Sequence, residues 1–355
     1  MFLKRGYQIS RDALPTILKD PEKTIQGLTK LKPRPFIITK EHVKKALELS
    51  KKPKVEIKIL KKYETKKKQI RIEDYVEHFQ TRYQQIKNLL LNRMDKEKLT
   101  SINKITPHVL TPSIIGVVRK KTKENLLLED PSGEILLSFN AKIKPKIDEI
   151  DLDDVIGVDC KGREKTPFVK KIYFPEISSS RDIVNAQKEI KIAFLFSPSS
   201  LNEKQQKKFH KTLSTIKPPP TIFLFTNNSN KDTIFSNLSP IKLQKNSPPT
   251  LFQIDKIGVL VLQKNFFGAP AIKDPVNFII SVLRRRHLIT KFNPKIHVGA
   301  NGFVLESPPD IIVSDFEGSF HKNYKGTTII LNSDPAKFFV VNLKTREVFE
   351  KSIGN

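Results

Sequence analysis

The stretch SIIGVVRKKTKENLLLEDPSGEILLSF, residues 113–139, decides the fold of this 355-residue chain. Its three short apolar runs, residues 113–118, 126–129 and 134–139, have the length and composition of β-strands. The sequence Asp130-Pro131-Ser132-Gly133 between the second and third runs is typical of a tight turn. The stretch therefore predicts three successive strands of an antiparallel sheet.

Two more strand-like runs, residues 155–160 and 168–174, follow this stretch, after a segment of helical character over residues 142–150. Five short strands with an insertion between the third and the fourth are the layout of an oligonucleotide-binding barrel. Another small barrel would show the same spacing. We predict a barrel domain over residues 105–178.

An amphipathic helix is predicted just before the barrel, within a segment of helix and linker over residues 71–104. Asp74 and Glu77 resemble a capping box at its start. Steps of three and four place the large apolar residues on one helical face, which indicates packing into a core rather than stacking on bases. These residues are Tyr75, Phe79, Tyr83, Ile86, Leu90 and Met94.

The chain is strongly basic, with 64 Lys and Arg against 37 Asp and Glu and a net charge of +27. Such a surplus indicates a polyanionic partner, and nucleic acid is one candidate. Residues 1–70 are predicted to form an irregular basic arm with short helical pieces such as residues 39–49. The alternative for its lysine run is a solvated loop. The candidate DNA-binding residues are Lys61, Lys62, Lys66, Lys67 and Lys68 in the arm and Arg119, Lys120 and Lys121 in the barrel.

The last part of the chain, residues 186–355, alternates strand-like and helix-like segments. The runs rich in Ile, Val, Leu and Phe are those expected of buried strands, and residues 203–213 and 275–286 are predicted helices. This pattern indicates an α/β sandwich or a layered sheet, so the whole chain is predicted to be an α+β multidomain protein. The predicted strands are residues 191–196, 221–226, 257–262, 310–314, 327–331 and 338–343.

Several classes of function are disfavoured by composition. The single cysteine, Cys160, rules out a disulfide framework and a multi-cysteine metal site. No Gly-rich phosphate loop occurs, and the seven histidines show no metal-binding spacing. No apolar run is long enough to span a bilayer, and the first residues lack the apolar core of a secretion signal. We expect a soluble, cytoplasmic protein with no membrane partner.

The loops that follow the predicted strands are poor in metal ligands. Residues 197–200 contain no carboxylate or imidazole, and residues 227–230 offer only weak amide ligands. Asp315 and Glu317 are the only plausible hard-metal donors in these loops. A site for two metal ions needs about six or seven converging ligands. The sequence therefore predicts no metal site and no cofactor.

Several short stretches together resemble the small subunit of the archaeal family D DNA polymerase, which is related to the B subunits of eukaryotic replicative polymerases. They span about residues 55–335 and occur in the family's order. None is specific alone, and their order makes the resemblance fairly specific. The stretches are residues 72–79 with Arg82 and Tyr83, then residues 129–135, 154–158, 172–177, 283–288 and 309–312.

The resemblance implies an oligonucleotide-binding barrel packed against a calcineurin-like phosphoesterase domain. Archaeal members typically use that domain, with two divalent metals, as a 3′→5′ proofreading exonuclease. Its ligands come from motifs of the types Asp-x-His, Gly-Asp, Gly-Asn-His-Asp and Gly-His-x-His. Here the Gly-Asp segment is missing between Leu213 and Pro218. The other motif positions fall at Pro198, Ser200, Asn228, Ser229, Asn230, Phe316 and Gly318, and of these only Asn228 keeps the family's residue.

These departures predict that residues 186–355 form an inactive phosphoesterase domain. The expected function is that of a small accessory subunit, which stabilises the large catalytic subunit in a heterodimer and contacts DNA. One alternative is an exonuclease with a rebuilt site that uses Asp315, Glu317, Asn228 or Asp232. The other is a free-standing single-strand DNA-binding protein.

Overall fold

The computed structural model describes residues 2, 6–29, 31, 33–50, 55–64, 71–106, 108–162, 166–196, 200–226, 241–244, 247–267, 272–289 and 303–353. The chain divides into two compact units, Met1–Glu56 and Ile57–Asn355.

The helices and strands are numbered in chain order. The helices are α1 Leu14–Lys19, α2 Pro21–Leu28, α3 Lys40–Ser50, α4 Ile72–Leu91, α5 Lys144–Asp148, α6 Glu203–Thr215 and α7 Pro275–Arg285. The strands are β1 Gln8–Ile9, β2 Ile37–Ile38, β3 Ile57–Lys62, β4 Ser113–Lys121, β5 Asn125–Asp130, β6 Gly133–Ser138, β7 Val155–Lys161, β8 Phe168–Tyr173, β9 Lys191–Phe196, β10 Thr221–Thr226, β11 Ile241–Gln244, β12 Thr250–Ile254, β13 Ile257–Leu262, β14 Ile311–Ser314, β15 Ser319–Tyr324, β16 Thr327–Asn332, β17 Lys337–Asn342 and β18 Val348–Ser352.

The N-terminal unit is folded, although its sequence predicted an irregular arm. The helices α1, α2 and α3 pack around their own core, and β1 pairs in parallel with β2. An added Cβ on Gly27 would lie 1.8 Å from the carbonyl oxygen of Ala46, so α2 and α3 pass in backbone contact. The apolar pattern did not indicate a core because it is spread over three short helices that are separated by highly charged loops. The core residues are Phe2, Tyr7, Ala13, Ile17, Ile25, Leu28, Ile38, Val43 and Ala46.

The five predicted strands of the second unit form a closed barrel in the order β4-β5-β6-β8-β7, with α5 between β6 and β7. This arrangement confirms the predicted five-stranded barrel and is consistent with an oligonucleotide-binding fold. The predicted turn is closed by Asp130, whose Oδ1 accepts hydrogen bonds from the backbone N–H groups of Ser132 (2.7 Å) and Gly133 (3.1 Å). Gly133 has a φ of 157°, a region that favours glycine.

Helix α4 lies against the outside of the barrel. Tyr83, Ile86 and Leu90 are buried in one cluster with Met94 and the barrel residue Ile115, which confirms the predicted packing of this part of the stripe. The Tyr83 hydroxyl donates to the carbonyl oxygen of Ile115 at 3.1 Å.

The N-terminus of α4 differs from its predicted start. The capping box consists of Arg71 and Asp74 rather than Asp74 and Glu77, so the helix begins three residues earlier than the predicted cap implies. Asp74 is the third helical residue and accepts from the Arg71 backbone N–H at 2.9 Å. His78 and Arg82 are also buried, which the apolar pattern did not predict.

Two mixed sheets make up the rest of the second unit. One has the order β15-β16-β14-β13-β12-β3 and the other the order β11-β10-β9-β17-β18. Rings from the two sheets meet, as in the Phe223–Phe252 pair at 5.4 Å between centroids. The opposite faces are covered by α7 on the first sheet and α6 on the second. The predicted layered α/β arrangement is therefore present as two facing sheets with a helix on each outer side.

Strand β3 lies inside the segment that was predicted to be a basic arm, and this part of the prediction is wrong. It pairs with β12 in antiparallel fashion, with Ile57 opposite Ile254 and Lys62 opposite Thr250. The next residue, Tyr63, is 1% exposed, and its backbone N–H donates to the Pro249 carbonyl oxygen at 2.9 Å. Strand β3 lies at the edge of its sheet, where it pairs with β12 on one side, and such a position tolerates several lysines. Its lysine-rich sequence therefore did not indicate a strand.

A cluster of ion pairs joins the barrel to α7. Arg285 contacts Asp154 at 2.9 Å and Asp151 at 2.7 Å, and Asp154 is 4% exposed. Arg284 contacts Glu149 at 3.0 Å. Burial raises the pKa of Asp154, although the nearby Arg285 favours its charged form. Because breaking one partner of such a buried pair leaves an uncompensated charge, the cluster fixes the barrel against the sheets.

A second polar contact supports the same junction. Glu176, just after β8, accepts a hydrogen bond from the Tyr324 hydroxyl and an ion pair from Lys325 at 2.7 Å. The barrel is thus tied to two elements of the six-stranded sheet region, α7 and the turn after β15.

In the part of the chain that the structure describes, no helix is long and apolar enough to cross a membrane.

Candidate nucleic-acid interface and the strand-end loops

The carboxyl ends of β13, β14 and β16 bring Gln263, Asp315 and Asn332 to one edge of the six-stranded sheet. Asp315 Oδ1 accepts the Lys264 backbone N–H at 2.6 Å. The Asn332 amide donates to the Lys337 carbonyl oxygen at 2.9 Å and accepts from the Asp334 backbone N–H at 3.1 Å. Both side chains therefore serve to hold loops.

Gln263 was not predicted from the sequence. It is 2% exposed, and within the described residues its amide oxygen and nitrogen have no hydrogen-bond partner. A buried amide without hydrogen-bond partners lowers the free energy of unfolding. Gln263 differs in this respect from Asp315 and Asn332, whose side chains are hydrogen-bonded. No sequence signal distinguished Gln263 from an ordinary surface glutamine.

Phe316 is one of the positions that the resemblance assigned to a metal ligand. It is 2% exposed, and its ring centroid lies 5.5 Å from that of Phe278 on α7 and 5.7 Å from that of Phe267. The side chain thus belongs to the apolar core between α7 and the sheet. A phenyl ring offers no lone pair for a metal ion, so this position contributes packing.

Gly318 shapes the turn into β15. Its φ is 120°, its backbone N–H donates to the Ser333 hydroxyl at 3.2 Å, and its carbonyl oxygen accepts from the Ser333 backbone N–H at 2.8 Å. An added Cβ would lie 2.8 Å from the Phe320 ring. Gly318 is therefore held by backbone geometry.

The remaining strand-end positions are only partly described. Glu317 and Ser200 are exposed. Pro198, Asn228, Ser229 and Asn230, together with the alternative ligand Asp232, lie outside the described residues. Within the described ranges, no three His, Cys, Asp or Glu side chains are grouped as metal ligands.

Two of the three basic barrel residues predicted to contact DNA are engaged within the barrel. Arg119 pairs with Glu129 and, at 3.0 Å, with Asp153, and the Glu129 hydrogen bond raises the pKa of Arg119. The Lys121 ammonium donates to the Ile147 carbonyl oxygen at 3.2 Å, at the end of α5. These contacts leave less of either charge available to phosphate.

Lys120 is exposed on β4, close to the turn into β5. Lys123, which the sequence analysis did not single out, is exposed in that turn. One lysine thus lies near the end of β4 and the other in the turn itself, where a backbone phosphate can reach both. They are therefore better candidates for phosphate contact than Arg119 and Lys121.

Of the five candidate lysines in the predicted arm, two lie within the described residues and three lie outside them. Lys61 donates to Glu306 at 2.9 Å from its place on β3, and Lys62 lies at the end of the same strand. Lys66, Lys67 and Lys68 lie outside the described residues. Lys61 and Lys62 therefore lie on a strand of the six-stranded sheet, whereas Lys120 and Lys121 lie on a strand of the barrel.

The outer face of β5, β6 and β8 carries apolar side chains that the sequence analysis missed. Leu127 pairs with Leu136, and Phe168 pairs with Ser138, two residues further along β6. Leu136 is 43% exposed and Phe168 is 46% exposed. The signal was the run Ile135-Leu136-Leu137, because successive strand residues face opposite sides and one apolar residue must point outwards. Lys120 pairs with Leu127 at the border of this face.

No model of a known protein family matches the chain, and no curated protein matches it. Among solved structures, the crystal structure of the S. pombe Stn1–Ten1 complex is similar to 22% of this chain and 75% of its own, with 20% identity and a TM-score of 0.19. The crystal structure of the telomere capping protein Ten1 from S. pombe is similar to 25% of this chain and 84% of its own, with 18% identity and a TM-score of 0.18. Overlaps of this size carry no argument about function.

Proposed function

We propose that this chain is the small accessory subunit of a DNA polymerase of the family D type, a scaffold that stabilises the large catalytic subunit and contacts DNA. In this proposal the two-sheet region is a calcineurin-like phosphoesterase fold whose 3′→5′ exonuclease activity has been lost. The observation that carries the proposal is Phe316. At a position where the family places a metal ligand, this chain has a ring packed between Phe267 and Phe278.

The junction between barrel and sheets supports a scaffold role. Arg285 is 11% exposed and joins two carboxylates of the barrel, and Glu176 joins the barrel to β15 through Tyr324. A surface built from elements fixed in this way keeps its shape when a partner binds, so less free energy is spent on ordering. Such a body is suited to holding another protein.

The basic charge and the exposed barrel face support contact with DNA. Lysines bind backbone phosphates without reading the sequence, and exposed aromatic side chains such as Phe168 stack on unpaired bases. The same face also favours the second candidate function, a free-standing single-strand DNA-binding protein. The two functions differ in whether a large subunit is required.

A nuclease assay tests the loss of catalysis. The purified chain is incubated with a labelled 3′-recessed primer and either Mg²⁺ or Mn²⁺, and we expect no shortening of the primer. The Asp315→Ala, Glu317→Ala double variant is the matched control. Metal-dependent shortening that this variant abolishes would overturn the proposed loss and support the rebuilt exonuclease site.

Co-purification tests the scaffold role. We expect the chain to form a stable complex with the large subunit of a family D polymerase from the same genome when the two are expressed together. The Leu260→Asp variant, which buries a charge in β13, should lose this complex together with its fold. The Asp315→Ala variant should keep both. A chain that binds single-stranded DNA but no large subunit would favour the free-standing alternative.

A further inference from the structure

The outer surface of the barrel has a covered side and an open side. Helix α4 packs on the covered side, where Ile115 of β4 and Val155 of β7 are buried with it in one cluster. On the open side, Leu136 of β6 and Phe168 of β8 are 43% and 46% exposed. Exposed apolar side chains that lie together mark sites at which a protein binds a ligand or a partner. The open side of the barrel therefore has the character of a binding surface.

A row of side chains crosses the open side from one strand to the next. Lys120 of β4 pairs with Leu127 of β5, and Leu127 pairs with Leu136 of β6. Phe168 of β8 lies beside β6 and pairs with Lys161 of β7. Residues that pair directly point to the same face of a sheet, so these five side chains form one row, which we name the barrel stripe. Adjacent strands are about 4.8 Å apart, and the four steps of the stripe span about 19 Å.

The barrel stripe is apolar in its middle and basic at both ends. Its two lysines are exposed, and its three apolar side chains lie between them. The acidic residues Glu129 and Glu134 lie opposite each other on the same side but outside the stripe, and Arg119 forms an ion pair with Glu129. The ends of the stripe therefore carry positive charge, in keeping with the net charge of +27. Such ends attract an anionic ligand.

Single-stranded nucleic acid combines the two properties that the barrel stripe requires of a ligand. Its unpaired bases have flat faces that stack on aromatic rings such as Phe168, and its phosphates bind lysine without regard to sequence. A duplex offers the phosphates but keeps the faces of its bases stacked inside the helix. An acidic protein segment offers the charge but no ring at every step of its chain. The ligand that fits both features is an unpaired strand.

We propose that the barrel stripe binds single-stranded DNA, with bases on Leu127, Leu136 and Phe168 and backbone phosphates at Lys120 and Lys161. The assignment rests on the DNA contact in the proposed function, and it specifies the form of the DNA and the residues that bind it. Three apolar side chains provide for about three bases, near the lower end of the range of about 4–16 nucleotides for barrels of this type. The site distinguishes unpaired DNA from duplex DNA rather than one sequence from another.

Fluorescence anisotropy of the full chain with a labelled oligo(dT) of about 12 nucleotides tests the apolar part of the stripe. We expect the Leu136→Ala, Phe168→Ala double variant to raise the Kd for oligo(dT) by at least about tenfold, because loss of stacking on an aromatic ring alone weakens binding by about fivefold or more. The Kd for a duplex of the same length should change by less than about twofold. The matched control is Phe349→Ala, since Phe349 on β18 is 43% exposed and lies outside the barrel, and it should leave both Kd values unchanged.

The salt dependence of the same affinity tests the basic ends of the stripe. The Lys120→Gln, Lys161→Gln double variant should reduce the slope of log K against log salt by about 1.4, since each phosphate contact of a single strand contributes about 0.7. Lys351→Gln, at an exposed position on β18, is the control and should leave the slope unchanged. An unchanged slope in the double variant would overturn the placement of the phosphates. All of the replaced side chains are exposed, so circular dichroism and thermal unfolding should show the same fold for all of the proteins.

The possible results separate this assignment from the function on which it rests. If the natural chain binds neither oligo(dT) nor the duplex, the DNA contact of the proposed function fails together with the assignment. If the natural chain binds oligo(dT) and the Leu136→Ala, Phe168→Ala variant binds it equally well, or loses the duplex to the same extent, the assignment alone fails. A natural chain that binds oligo(dT) through the stripe but forms no complex with the large subunit would overturn the accessory role and leave the assignment intact.

Photocrosslinking identifies the ligand of the stripe directly. A photocrosslinking amino acid in place of Leu136 should label oligo(dT), also when the large subunit is present. Labelling of the large subunit in place of the oligonucleotide would show that the stripe is a protein interface and would overturn the assignment. Binding of oligo(rU) at least about tenfold tighter than oligo(dT) would overturn it in favour of RNA.

Discussion

Gly27 sets how closely α2 and α3 approach in the N-terminal unit. A Cβ at this position meets the backbone of Ala46, which cannot move aside as the end of a long side chain can. We expect Gly27→Ala to destabilise the unit by about 1–3 kcal/mol, the usual cost of overpacking. Hydrogen exchange at the amides of residues 6–50 measures the effect.

The matched control for this prediction is Gly258→Ala on β13. Its added methyl group would meet neighbours no closer than 3.6 Å, an ordinary contact. Equal exchange rates in the two variants would contradict the account of the α2–α3 crossing.

Glu176 is expected to make the junction of barrel and sheets sensitive to acid. Burial opposes its charged form, but hydrogen bonds from Lys325 and Tyr324 lower the pKa of its carboxyl below the ordinary value of 4.5. A lowered pKa means that the stabilisation is present above about pH 4.5 and is lost as the pH falls through the folded-state value.

Acid unfolding measures this dependence. The difference in free energy of unfolding between the natural chain and Glu176→Gln should shrink as the pH is lowered below 4.5. Glu317→Gln, at an exposed position, serves as the control and should leave the pH dependence unchanged. A constant difference across this pH range would show that the carboxylate does not support the junction.

At the scale of elements, the turn between β4 and β5 should contribute to DNA affinity through lysines that the barrel does not use. Each phosphate contact changes the slope of log K against log salt by about 0.7–0.9. We therefore expect Lys120→Gln and Lys123→Gln each to reduce the slope by about that amount. Fluorescence anisotropy of a labelled oligonucleotide at several salt concentrations gives the slope.

Arg119 provides the contrast, since it already pairs with Glu129 and Asp153. Arg119→Gln is expected to lower stability by up to about 1 kcal/mol, the scale of a surface ion pair, with little change in the salt slope. Equal slopes for the three variants would mean that the turn does not select which basic residues face DNA.

The barrel and α4 were predictable because their signals are local. A strand of six residues or a helix of twenty residues carries its own period, and the Asp130–Gly133 turn carries its own hydrogen bonds. The exposed pair Leu136 and Phe168 was harder to see, since strand composition does not say which face looks outwards. The N-terminal α3 matched the helical piece expected near residues 39–49.

The other features were not predictable because they depend on contacts between residues that are far apart in the sequence. The sequence of β3 is mostly lysine and isoleucine, and only its pairing with β12, far along the chain, makes it a strand. The burial of Phe316 likewise depends on α7 and on Phe267 rather than on its neighbours in sequence. Gln263, His78 and Arg82 are polar residues whose burial follows from packing between elements.

At the scale of the whole molecule, residues 57–70 are expected to be needed for the stability of the second unit, although the sequence analysis placed them in a basic arm. A fragment of residues 57–355 keeps β3 and the buried Tyr63, whereas a fragment of residues 71–355 exposes the edge of β12. Unpaired strand edges promote aggregation. We expect the longer fragment to elute as a single species in size-exclusion chromatography and the shorter one to aggregate or unfold at lower temperature. Equal behaviour of the two would mean that β3 is dispensable.

The pairing of β3 with β12 also has a consequence for synthesis in the cell. A ribosome releases Ile57–Lys62 before it has made α4, the barrel and most of the five-stranded sheet, and Thr250 follows only after all of them. At a translation rate of about 5–20 residues per second, the strand waits roughly 10–40 seconds for its neighbour. During that interval Ile59 and Leu60, together with an open backbone edge, are available to chaperones or to other nascent chains. All five barrel strands are made within that interval, so the barrel has its complete sequence before β3 can pair with β12.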